Sequence, residues 1–146
     1  AGPPIMLDVG ANIGACSLHM LMMTNATVIS FEPGQDNAFF ASRSLLRLSG
    51  KDGSGVGGVV PDAEKRLLFV RSALGAGDGE QLLHQAVGNA GHAMIGKVSS
   101  QFAPKGHVAA QRIVIRRMDD LLWPASARIA GVAPPSIALL KIDVEG

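Results

Sequence analysis

Near the N-terminus the apolar run Ile5-Met6-Leu7-Asp8-Val9 stops at Gly10 and enters the loop Gly10-Ala11-Asn12-Ile13-Gly14. A run this short before a glycine turn predicts a buried parallel strand. Small and apolar residues follow from Gly14 to Met23, including Ala15, Cys16, Leu18 and Leu21, which predicts a helix packed on a sheet. A strand–loop–helix unit aims backbone N–H groups and the positive helix end at a crevice. Glycine lets a ligand approach the backbone closely. The spacing is G-x-N-x-G, which departs from the G-x-G-x-x-G dinucleotide fingerprint and lacks its third glycine. Asn12 replaces a glycine with a residue that tolerates positive φ. The loop therefore keeps its shape and suits a ligand without a pyrophosphate. Asp8, just before it, is placed to order the loop or to accept a hydrogen bond from a ligand ammonium.

The following segments repeat the alternation. Thr27-Val28-Ile29-Ser30-Phe31 is β-branched and aromatic, which predicts a second strand. Glu32-Pro33-Gly34 ends it, because Pro33 cannot continue a ladder. A second helix is expected from about Asp36, as its N-cap, to Leu48. The glycine-rich stretch from Ser49 to Asp62 reads as a surface loop, and Leu67 to Val70 as a third strand. Strand, helix, strand, helix, strand predicts a parallel α/β sheet with helices on both faces. Segments 79–87 and 111–118 then read as a hairpin-like excursion with a loop between them. Asp119 to Trp123 is a helical turn. Ser136 to Asp143 is the most apolar strand, of a kind that belongs in the middle of a sheet. It stands three residues from Gly146 and would be an exposed edge as the sequence is given, so strands C-terminal to it are expected to be missing.

Composition narrows the partners. The 146 residues fit one domain, with 47% hydrophobic and 17% charged residues. Thirteen basic and twelve acidic residues leave a net charge of +1, so no electrostatic case for nucleic acid arises. Cys16 is the single cysteine, the four histidines lack ligand spacing, and no metal site is expected. No apolar run approaches the ~18 residues of a membrane span.

Glu32 stands eighteen residues past Gly14, at the end of the second strand. In α/β nucleotide sites an acid placed about 20 positions on holds the ribose hydroxyls. Five blocks in order carry a wider likeness: Leu7 to Gly14, Val28 to Pro33, Ala73 to Glu80, Arg117 to Leu122, and Leu140-Lys141-Ile142-Asp143-Val144-Glu145-Gly146. Together they resemble the FkbM family of S-adenosylmethionine-dependent methyltransferases. The resemblance implies a Rossmann-like class I methyltransferase fold and O-methylation, often of sugars or natural products. By the same match Asp8, Gly10, Asn12 and Gly14 line the methionine end of S-adenosylmethionine, Glu32 binds its ribose, and Ser72 and Ala73 border its adenine. The glycine-rich stretch after Ser49 departs from the family pattern.

Methyl transfer to a hydroxyl needs the cofactor positioned and a proton removed. Asp143 and Glu145 follow the strand expected beside the first one, at the end where ligands bind. Two positions apart on extended chain, they share a face. They are the candidate general base or acceptor-orienting groups, ahead of a magnesium site, since two carboxylates make a thin metal site. Lys141 shares that face and is placed to pair with Asp143. The expected acceptor is a small molecule or a glycan. Two alternatives remain: a noncatalytic Rossmann-like binding domain, and a nicotinamide-dependent oxidoreductase, which would need the third glycine.

Overall fold

The computed structural model describes residues 2–96 and 106–144. It is a mixed α/β structure built on two four-stranded sheets. The first contains β1 (Ile5–Val9), β2 (Thr27–Phe31), β3 (Leu67–Val70) and β8 (Ile137–Ile142). Its order is β3-β2-β1-β8 and every pairing is parallel. Helices α1 (Ala15–Met23) and α2 (Gln35–Leu48) connect β1 to β2 and β2 towards β3. This arrangement is compatible with the Rossmann-like α/β class.

Strand alternation sends neighbouring side chains to opposite faces. Met6 and Val28 face one way and pack with Leu21 of α1 and Ala63 of the short α3 (Ala63–Arg66), against Leu45 and Leu48 of α2. Leu7, Val9 and Phe31 face the other way, towards Met118 and Leu122 of α4 (Met118–Leu122). Helices thus lie on both faces, as expected, and among the described residues the second face is covered by the five-residue α4. The turn α5 (Ala125–Ile129) leads on towards β8.

The second sheet has the order β4-β7-β5-β6, from β4 (Ala73–Leu74), β5 (Gly79–Ala86), β6 (Asn89–Gly96) and β7 (His107–Arg116). Strand β5 is antiparallel to both β6 and β7. The hairpin expectation is therefore incomplete, because β6 lies in a stretch that reads as loop. Asn89-Ala90-Gly91-His92 carries no apolar alternation, and pairing with β5 decides its state instead.

Strand β8 lies at the edge of its sheet, as expected for the sequence as given, with Leu140 45% and Ile142 62% exposed. One further expectation changes. Helix α2 is capped by Gly34 and not by Asp36, which sits in the first turn. No side chain of the helix's own segment caps it. Instead Gln111 of β7 reaches across: its Oε1 accepts the Gln35 N–H at 3.0 Å, and its Nε2 donates to Pro33 O at 2.6 Å. One amide from the second sheet thus satisfies an amide that helix geometry leaves orphaned.

Candidate functional site

The loop after β1 adopts the backbone expected of it. Gly10, Asn12 and Gly14 have φ of 76°, 53° and 84°. Its amides, however, turn inward. Gly10 and Ala11 both donate to Phe31 O at 3.0 Å, Asn12 donates to Glu32 Oε2 at 2.9 Å, and Gly14 donates to Ala11 O at 2.8 Å. These four N–H groups are spent within the protein and are not offered to a ligand, where the loop was expected to be donor-lined.

Gly10 is required for a second reason: a Cβ there would run into the Asp143 carbonyl of the neighbouring strand end. Gly10→Ala is expected to cost about 1–2 kcal/mol from the left-handed backbone alone, and more from the displaced Asp143. A lower urea midpoint at unchanged slope is the readout. Gly14 plays a different part from the one expected, because it does not line the cavity. A Cβ there would lie 3.1 Å from Ala41 Cβ, so Gly14 lets α1 and α2 meet.

Asp8 also moves from its expected place. It is 0% exposed and sits behind the loop rather than on its ligand side. Oδ2 accepts the Ser17 hydroxyl at 2.5 Å, and Ser17 shares a 2.7 Å hydrogen bond with Ser30. Lys141 Nζ stands 2.9 Å from Asp8 Oδ1, an ion pair at an angle outside hydrogen-bond geometry. The same ammonium donates to Gly10 O at 2.9 Å and lies 3.7 Å from Asp143. Burial works against the Lys141 charge, but the close contact with the Asp8 carboxylate, helped by Asp143, outweighs it and holds its pKa above the ordinary lysine value. Asp8 orders the loop, then, through Lys141, and is not free to meet a ligand ammonium.

Glu32 is buried, 7% exposed, on the wall of a cavity of about 700 Å³. Besides the Asn12 amide on Oε2, its Oε1 accepts the Gly34 N–H at 2.8 Å and Asn37 Nδ2 at 3.3 Å. Sequence reasoning missed Asn37. Its only signal was its position one helical turn beyond the Glu-Pro-Gly turn.

The cavity gathers most of the other expected residues. Gly10, Asn12, Ser72, Ala73, Lys141 and Asp143 all line it. The Ser72 hydroxyl shares its one hydrogen between the Ala73 and Val114 carbonyls, at 2.8 and 3.1 Å. The Asp143 side chain is 80% exposed, at the open end of β8. Glu145 lies outside the described residues. Cys16, read as a packing residue, is exposed and also borders the cavity. The roof comes from the second sheet, through Leu83, Ala93 and Ile95. The sequence announces the Leu83 strand but not Ala93 and Ile95, which depend on β6. Among the described residues no group of three metal-ligating side chains occurs, and no helix is long and apolar enough to cross a membrane.

No family model, curated protein or solved structure matches the chain.

Proposed function

We propose that this chain has the class I methyltransferase fold and binds S-adenosylmethionine for O-methylation of a small molecule. The observation that carries the reading is the Glu32 carboxylate, buried on the cavity wall at the end of β2. A carboxylate offers about four acceptor positions. Three are taken, by Asn12, Gly34 and Asn37, which leaves about one on Oε2. A ribose hydroxyl fits that position, and the 3.3 Å Asn37 hydrogen bond is the weakest and most easily exchanged for a second hydroxyl. The inward-turned loop amides favour a ligand without phosphate at the loop, and so disfavour a nicotinamide dinucleotide.

When bound, the cofactor supplies a methyl group on a sulfonium with a thioether as leaving group. The chain's own part is positional. Asn12 and Gly10 line the methionine end, while Ser72 and Ala73 border the base. Lys141 holds Gly10 and leaves Asp143 facing the cavity, where its carboxylate is placed to orient the acceptor hydroxyl and take its proton.

Isothermal titration with S-adenosylhomocysteine tests the reading. Saturable one-site binding is expected, and NADH should not displace it. A folded protein that takes up no S-adenosylhomocysteine would overturn the proposal.

A further inference from the structure

We infer that the acceptor is a largely apolar molecule carrying a single hydroxyl, such as a phenol or a long-chain alcohol, and not a sugar. The inference rests on the cofactor reading above and concerns the half of the cavity that reading leaves unassigned.

The cavity walls differ in chemistry. Its charged and amide side chains, Asn12, Glu32, Asn37, Lys141 and Asp143, all come from the strand-end side of the parallel sheet and from α2. The opposite side is built from Leu74 of β4, Leu83 of β5, Ala93 and Ile95 of β6, and Met118 of α4. Among the described residues, that side offers one polar side chain, Ser72, whose one hydroxyl hydrogen is already shared between the Ala73 and Val114 carbonyls. Ile142 and Val144 flank Asp143 and extend the apolar surface towards the opening.

The polar groups on the other side are mostly committed. Glu32 holds three protein donors, and Lys141 is shared between Asp8 and Gly10 O. Asp143 alone combines a charge with a largely exposed side chain. A glycan carries a hydroxyl on nearly every carbon. Each one pressed against Leu83, Ile95 or Met118 would lose its water partners without replacement. An apolar body instead gains by burial there, and its one hydroxyl has one carboxylate to meet.

The transfer then balances simply. The acceptor oxygen forms the new C–O bond to the methyl carbon as the C–S bond breaks. The bonding pair stays on sulfur as a neutral thioether, and the hydroxyl proton passes to the Asp143 carboxylate.

The test titrates 2-naphthol and, separately, methyl α-glucopyranoside into the protein, with and without saturating S-adenosylhomocysteine. Saturable naphthol binding alongside S-adenosylhomocysteine, with no glucoside binding, is expected. Ile95→Thr should weaken naphthol roughly tenfold, because less apolar surface is buried against the ring, and leave S-adenosylhomocysteine unchanged. Met118→Ser, on the partly buried α4, is the second variant should Ile95→Thr fail to fold. Tighter binding of the glucoside than of naphthol overturns the inference. So does an equal loss of naphthol and S-adenosylhomocysteine in both variants, since the apolar side would then belong to the adenine. If S-adenosylhomocysteine never binds but naphthol does so in an Ile95-dependent way, the cofactor reading fails and the apolar site stands.

Discussion

Lys141→Met is expected to lower the unfolding free energy at neutral pH by about 3–5 kcal/mol, the range for removing one partner of a buried ion pair. Asp8 is fully buried, and without the ammonium its Oδ1 would face no opposite charge, while Ser17 serves only Oδ2. The Gly10 carbonyl would lose its donor as well. Urea unfolding measures the loss, and the double variant Asp8→Asn/Lys141→Met should recover most of it, because the amide oxygen still accepts from Ser17. A double variant as unstable as the single one would show that the ammonium acts on the loop carbonyl and not on Asp8. The pH dependence follows from the raised Lys141 pKa. A group whose pKa is higher folded than unfolded binds protons more tightly when folded. Its stabilisation is thus complete below the unfolded lysine value of about 10.4, and is lost as pH climbs through the raised folded value. The gap between wild type and Lys141→Met should accordingly narrow on the alkaline side.

Glu32→Ala should weaken S-adenosylhomocysteine at least about tenfold, since a hydrogen bond to a charged group is worth about 1.5–3 kcal/mol. The same change should also destabilise the unliganded fold by about 1–3 kcal/mol, because the Asn12 and Gly34 amides lose their acceptor. Titration calorimetry and urea unfolding on one sample separate the two effects. Glu32→Gln sharpens the result. Its NH₂ must face either the Asn12 amide or the Gly34 and Asn37 donors, donor against donor. It should lose nearly as much as alanine despite its shape. Wild-type affinity in Glu32→Gln would remove the carboxylate from the binding site.

The parallel sheet was legible because its strands are short, apolar and punctuated. Ile5–Val9 lies between Pro4 and Gly10, Thr27–Phe31 stops two residues before Pro33, and Leu67–Val70 is a short apolar run between Arg66 and Arg71. Asn12 likewise announced its positive φ. What escaped reading depends on partners distant in the chain. Strand β6 has no pattern of its own and exists through β5. Asp36 looks like a helix cap, yet the orphaned Gln35 amide is met by a side chain 76 residues away. Asp8 looks like a ligand-binding group because it precedes the loop, but the register that sets it opposite Lys141 claims it for the interior. Spacing along the chain tells which residues converge at the strand ends. It does not tell which of them face inward.

The Gln111 amide has a consequence for how this molecule can vary. It fastens β7, the strand paired with the roof strand β5, to the turn from Pro33 to Gln35, beside Glu32. Free-energy coupling between two sites is reciprocal. Any change in affinity that a ligand at the turn transmits through this amide to a ligand under the roof is returned in equal measure. Adapting the roof to a new guest is therefore not a local edit. Drift in β7 is answerable to the opposite wall of the cavity, and the two halves of the pocket are constrained to evolve as one.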